Sequence, residues 1–163
     1  MKLDINLQEF LGAIDVPADW VGVREVYEAH TPRMIRDGVP VSNGRYSTHG
    51  VMVEVLVDGQ FGYYGTPNLT SHGVSDAAMK AYRQAKIASQ HSVFAFDAKA
   101  RPAYKGTYNS PFEKDRESLS AGNLNQLLLD AYKNLKVSDK IVSASSLRQI
   151  IETSSRFISS NGS

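Results

Sequence analysis

The chain has 163 residues, enough for one well-buried domain or two very small ones. Apolar residues make up 42% and charged residues 21%, and 18 Lys and Arg against 17 Asp and Glu leave a formal net charge of +1. That balance offers no electrostatic reason for a nucleic-acid partner, no run of about 18 apolar residues is present to span a bilayer, and zero cysteines removes disulfides, thiolate ligands and thiol nucleophiles together.

The opening Met1-Lys2-Leu3-Asp4-Ile5-Asn6 has an early acid and no long apolar core, unlike a secretion signal, so a cytoplasmic location is expected. The Asn-x-Ser/Thr triplets at Asn68 and Asn161 then carry no glycan. Residues 6–14 read as a short helix, because Leu7, Phe10, Leu11 and Ile14 recur at helical spacing. Asn6 can cap it, Glu9 stands three residues on as in a capping box, and Pro17 stops it.

Residues 20–36 read as a long strand, with Val21, Val23, Glu25 and Tyr27 on one face and Arg24, Val26 and Glu28 on the other. Pro32 is expected at a bulge or an edge. A strand over 38–48 follows, with Asn43-Gly44 as a hairpin signal. Strict alternation of Val51, Val53, Val55 and Val57 predicts a strand over 50–58. Asp58-Gly59 is a second hairpin turn, and 60–65 return as another strand, making 20–65 an antiparallel meander.

The period then changes. Val74, Ala78, Ala81, Ala85 and Ala88 form a stripe of small residues over 70–92, a helix able to lie close to a sheet, with Thr70 or Ser75 as its cap. Residues 97–118 hold Pro102, Gly106 and Pro111 and predict a long irregular connection. A second amphipathic helix is expected over 119–136, with Leu124, Leu127, Leu128, Ala131 and Leu135 on one face. Residues 140–160 read as extended, Ile141 and Val142 opening one strand and Arg156, Phe157 and Ile158 lying in another. The fold class predicted is α+β: a mixed, mainly antiparallel sheet with the two amphipathic helices packed on one face, plus the short N-terminal helix, in a single domain over 1–163. Asn161-Gly162-Ser163 is a third turn signal with no returning strand, which suggests the N-terminal part of a longer protein.

Chemistry is sparse in this pattern. His30, His49, His72 and His91 never fall within four residues of each other, so no helical pair can grip a metal ion. Gly59, Gly62 and Gly65 surround a strand rather than joining a strand to a helix, so they read as turn and close-packing glycines, not a phosphate cradle. No Gly-x-Ser-x-Gly elbow occurs. The acid pairs Asp15/Asp19 and Asp115/Glu117 read as solvated charges. Phe61, Tyr63, Tyr64, Trp20 and Tyr27 read first as packing residues and only second as a stacking platform. No catalytic, cofactor-binding or metal-binding residue is assigned: catalytic none, cofactor none, metal none.

The run Asn43-Gly44-Arg45, then Gly50-Val51-Met52-Val53-Glu54-Val55-Leu56-Val57-Asp58-Gly59-Gln60-Phe61-Gly62-Tyr63-Tyr64-Gly65-Thr66, resembles the N-terminal segment of TldD/PmbA proteins. The lead-in Thr66-Pro67-Asn68-Leu69 to a helix carrying Ala77, Ala78, Ala81, Ala85 and Ala88 is similar, as is Ser159-Ser160-Asn161-Gly162 near the C-terminus. The resemblance runs from about residue 20 to the end. It implies a zinc metallopeptidase parent acting on unfolded peptides, whose His-Glu-x-x-x-His helix and later cysteine lie in a C-terminal half. Nothing in 1–163 matches that motif, so zinc is expected in the C-terminal region and no cofactor in this chain. Some family members lack the zinc motif and partner an active paralogue, and the family is also labelled a modulator of DNA gyrase.

Three readings follow: a region shaping the peptide channel and subunit contact of a zinc peptidase, a free-standing module taking an extended peptide on a sheet edge, or a non-catalytic assembly subunit. The partners expected are the C-terminal domain, an identical or homologous subunit in a homo- or heterodimer, and a peptide substrate, with no nucleic acid and no membrane. At least one sheet edge should be open to such a partner, unless Pro32, Pro40, Arg33, Arg36 and Asp37 blunt it.

Overall fold

The structure is a computed structural model that describes residues 5–113 and 119–163. Its elements in chain order are α1 (Leu7–Gly12), β1 (Trp20–Arg36), β2 (Val39–Asn43), β3 (Tyr46–Val57), β4 (Gln60–Thr66), α2 (Ser71–Ser89), α3 (Ala121–Leu135) and β5 (Ser145–Ser159), with a 3-10 turn at Ala98–Ala100. The strands make one five-stranded sheet in which β1 pairs with β2, β3 and β5, and β4 pairs with β3. The α+β class read from the sequence is the class observed. Among the described residues no helix is long and apolar enough to cross a membrane.

The chain divides into two compact units. The first holds residues 1–28, 48–106 and 153–163; the second holds 29–47 and 107–152. Strands β1, β3 and β5 each contribute residues to both.

In the first unit the core lies between the sheet and α2. Val23, Val51, Val53, Val55 and Val57 meet Val74, Ala77, Ala78, Ala81 and Ala85, with Leu7 and Phe10 of α1 closing one end. The small residues matter because they let the helix approach the sheet. A Cβ on Gly62 of β4 would stand 2.0 Å from the Ala81 carbonyl oxygen. Thr70 is the cap of α2, its hydroxyl accepting from Gly73 N at 3.1 Å, which settles the choice against Ser75. Asn6 caps α1 by accepting from Glu9 N at 3.3 Å, but the Glu9 carboxylate accepts from Ser71 Oγ at 3.2 Å and so ties α1 to α2. The β3–β4 hairpin turns at Asp58 (φ 49°) and Gly59 (φ 73°), the positive pair that a tight two-residue turn requires.

The second unit departs from the sequence reading in four places, three of them in its strands and connections. Asn43-Gly44 is not a hairpin, since β2 and β3 do not pair with each other. Neither residue has positive φ, and Gly44 N donates instead to Pro32 O at 3.4 Å, so the expected 38–48 strand is interrupted there rather than reversed. The reversal falls at Asp37 (φ 51°) and Gly38 (φ 80°), which join β1 to β2. Pro32 marks neither the bulge nor an edge: the register of β1 on β2 shifts between Met34 and Ile35, and β1 is the strand with three partners. Lastly, Ile141 and Val142 open no strand. Residues 136–144 are irregular, Val142 is 95% exposed, and one continuous β5 starts at Ser145. Isolated β-branched pairs carry little weight without a neighbour to pack on.

Helix α3 starts at the cap Ser120, whose Oγ accepts from Asn123 N at 3.1 Å. It buries Leu124 and Leu128, while Ser146 Oγ of β5 donates to Leu128 O at 2.7 Å. Leu127, Ala131 and Leu135, expected on the same buried face, are exposed.

Candidate functional site

Each face of the sheet in the first unit holds one buried carboxylate gripped by an arginine from far along the chain. On the face packed by α1 and α2, Glu25 is fully buried. Its Oε1 lies 2.8 Å from His49 Nε2, and its Oε2 accepts from Arg156 Nε at 2.9 Å and Nη2 at 2.5 Å. Arg156 Nη2 also donates to Ile5 O at 2.6 Å, so the same guanidinium holds β5, β1 and the segment leading into α1. Tyr27 meets the His49 ring edge-on at 5.9 Å. A bidentate arginine is the partner a buried carboxylate needs, because an unpaired charge there would cost several kcal/mol, roughly.

On the opposite face Glu54 accepts from Arg101 Nε at 2.9 Å and also from its Nη2. Arg101 Nη2 donates to the Tyr63 hydroxyl at 3.2 Å, and its guanidinium lies 4.5 Å above the Phe61 ring. Trp20 packs edge-on against Phe61 and tilted against Phe157, and Phe96 lies 5.5 Å from Phe61. Burial pushes the Tyr63 phenol above its ordinary value, helped by the Glu54 charge. The hydrogen bonds that Arg101 donates to Glu54 raise its guanidinium above the ordinary value. Asn161, read as a turn residue, donates from Nδ2 to Arg101 O at 2.7 Å and anchors this connection.

Beside His49, Thr48, Gly50, Met52, Thr66 and Pro67 line a shallow depression of about 330 Å³. It forms because β4 stops pairing at Thr66, opposite Val51, while β3 runs on toward its start. Among the described residues no strand pairs the edge of β3 that β4 leaves.

The histidines do not converge. His30 stacks on Tyr46 at 4.7 Å, His49 serves Glu25, His72 faces Asp76 at 3.4 Å one helical turn on, and His91 follows the end of α2. Among the described residues no three His, Asp or Glu side chains group so as to hold a metal ion, and the zinc implied by the resemblance has no ligand set there. Of the three glycines, Gly59 makes the turn, Gly62 admits α2, and Gly65 has open space around its Cα. Asp15 and Asp19 are exposed; Asp115 and Glu117 lie outside the described residues. The sequence reading passed over Glu25 and Glu54 as site residues. The available signal was a glutamate at an inward position of an apolar strand, but its partners lie 131 and 47 residues away and no local pattern names them.

A long helix on a mainly antiparallel sheet, with a buried acid–arginine lock on each face, defines an α+β domain. Residues 21–89 match PmbA/TldA metallopeptidase domain 1, and that stretch is similar to the first domain of the PmbA/TldD family. Three solved structures share the fold. A candidate modulator of DNA gyrase from Bacteroides thetaiotaomicron has a TM-score of 0.66 at 20% identity, over 99% of this chain and 38% of its own. TldE from Thermococcus kodakarensis has 0.56 at 14%, over 95% and 34%. A second candidate gyrase modulator, from Thermotoga maritima, has 0.54 at 13%, over 88% and 32%. The chain thus spans about a third of the length of these proteins. No curated protein sequence matches it.

Proposed function

We propose that the chain is the N-terminal scaffold of a PmbA/TldD-type zinc metallopeptidase acting on unfolded peptides, shaping the peptide channel and the subunit contact. The observation that carries this reading is the inverted burial of the second unit. Its buried apolar side chains among the described residues are Ala29, Ile35, Leu124 and Leu128, whereas Val39, Val41, Leu127, Leu135, Leu147 and Ile151 are all at least half exposed. Apolar surface left in water at roughly 25 cal/mol per Å² is a standing cost that a partner surface removes. The partners that fit are the C-terminal domain of the parent and an identical or homologous subunit, in a cytoplasmic protein. Zinc and the catalytic groups belong to that C-terminal domain.

Strand β5 supports the same reading. Its 15 residues contain no proline, its one strand partner among the described residues is β1, and Leu147 and Ile151 alternate outward along it. Pro40 stands on the short β2 and protects neither β5 nor the β3 edge beside the depression. An open edge of this kind can pair with an extended peptide through main-chain hydrogen bonds, without asking for a particular side-chain sequence. The alternative, a non-catalytic peptide-binding or assembly module, rests on that edge alone.

Co-expression with and without the downstream coding region tests the proposal. The scaffold reading expects the chain alone to hydrolyse no peptide, to self-associate, and to form a defined complex with the downstream region. Leu127→Asp together with Ile151→Asp should abolish that complex. A chain that stays monomeric at high concentration and binds neither the downstream region nor extended peptides would refute it.

A further inference from the structure

In the second unit two arginines occupy opposed strand positions, and among the described residues neither forms a salt bridge. The hydrogen bonds from Asp37 N to Ala144 O (3.0 Å) and from Ser160 N to Val21 O (2.8 Å) keep one antiparallel register along β1 and β5. That register sets Arg148 directly opposite Arg33, on one face. Like charges in directly opposed positions repel. Each guanidinium also has a buried nitrogen with no hydrogen-bond partner among the described residues: Nε of Arg33 and Nη1 of Arg148. The contacts that hold Arg33 are neutral, its Nη1 donating to Asn43 Oδ1 at 2.5 Å and Asn125 Oδ1 at 3.2 Å.

Three acids among the described residues of this unit are engaged elsewhere. Glu152 pairs with Arg45 at 3.6 Å. Asp37 accepts from Ser143 Oγ and Ala144 N, and Asp130 faces Gln126 and Lys133. Two half-buried arginines therefore stand opposed on β1 and β5, with Arg33 reaching Asn125 of α3 and the exposed Asn43.

We infer that Arg33 and Arg148 form a binding site for a small oxyanion, a carboxylate or phosphate group, whose two oxygens accept from Arg33 Nε and Arg148 Nη1. Guanidinium forks match that geometry bidentately, and such charge-assisted bonds are about twice as strong as neutral ones. A bound oxyanion also removes the repulsion between the two arginines. The site stands whether or not the parent is a peptidase.

The test uses the full chain in chloride, inorganic phosphate or acetate at matched ionic strength, following Tm and titrating phosphate by calorimetry. Expected is a higher Tm in at least one oxyanion than in chloride, with saturable binding. Response to phosphate alone identifies a phosphate site; response to acetate, alone or with phosphate, identifies a carboxylate site. Arg148→Met should weaken oxyanion binding about tenfold or more and raise Tm in chloride. Arg148→Lys keeps the charge but lacks the fork, so it should weaken binding similarly and decides the matter if the methionine variant folds poorly. Arg36→Gln, an exposed cation in the same unit, should change neither. Equal Tm in all three salts, or an undiminished oxyanion response in both Arg148 variants, would overturn the site.

Discussion

Gly62 of β4 lies directly beneath Ala81 of α2, with 2.0 Å between the position of an added Cβ and the Ala81 carbonyl oxygen, and 3.0 Å to Ala85 N. Those neighbours are helix backbone, which cannot swing aside as a side chain can. Gly62→Ala must lift the helix from the valine face of β3. The expected loss is about 3 kcal/mol or more, above the usual cost of overpacking. Urea denaturation followed by circular dichroism measures it; Gly65→Ala, with nothing within 4 Å of its added Cβ, is the control and should cost under about 1 kcal/mol.

The Glu25–Arg156 pair is asymmetric, since the glutamate side chain is fully buried and the arginine is 40% exposed. Arg156→Met strands a carboxylate in the core with only His49 beside it and should cost about 3–5 kcal/mol. Glu25→Gln leaves an arginine that can reach water and should cost about half as much or less. Equilibrium unfolding of both variants gives the order; equal costs would mean the carboxylate finds water in the folded protein.

Asp37 is the titratable group at the β1–β2 turn. Hydrogen bonds from Ala144 N and Ser143 Oγ hold its carboxyl below the ordinary value. A lowered folded pKa means that the contribution is present above the unfolded carboxylate value, roughly 3.9, and is lost as pH falls through the folded one. Asp37→Asn tolerates positive φ at this position and accepts from Ala144 N, so it should flatten the acid limb of the stability profile. Parent and variant should converge at the lowest pH. Thermal melts across the acid range provide the comparison.

The cap of α2 is a further test. Thr70 accepts from Gly73 N, and Thr70 Oγ1 donates to Asn68 Oδ1 at 2.9 Å. Thr70→Ala should cost about 1 kcal/mol, near the usual value for a lost cap, and Ser75→Ala much less. Hydrogen exchange should show the loss first in the opening turn of the helix.

Elements defined by periodicity were legible in the sequence. The alternation from Val51 to Val57 gave β3, the alanine spacing gave α2, and Asp58-Gly59 gave the hairpin, because period and turn chemistry act within a few residues. Asn43-Gly44 shows the limit: two turns were chemically available six residues apart, and the partnership of β1 with its returning strand placed the reversal at Asp37-Gly38. Leu127 and Leu135 show another, since an apolar face on α3 predicts burial only if something covers it.

The site depended wholly on tertiary contact. Arg156 reaches Glu25 across 131 positions, Arg101 reaches Glu54 across 47, and Arg33 stands opposite Arg148 only because β1 and β5 pair. The sequence by itself determined the α+β class, the resemblance to the PmbA/TldD first domain and the small-residue stripe on which α2 packs, because these rest on local period and composition. Only the tertiary structure decided which charges are buried and which apolar faces stay open. Burial and charge pairing are properties of residues brought together by the chain's return, and no local spacing records them.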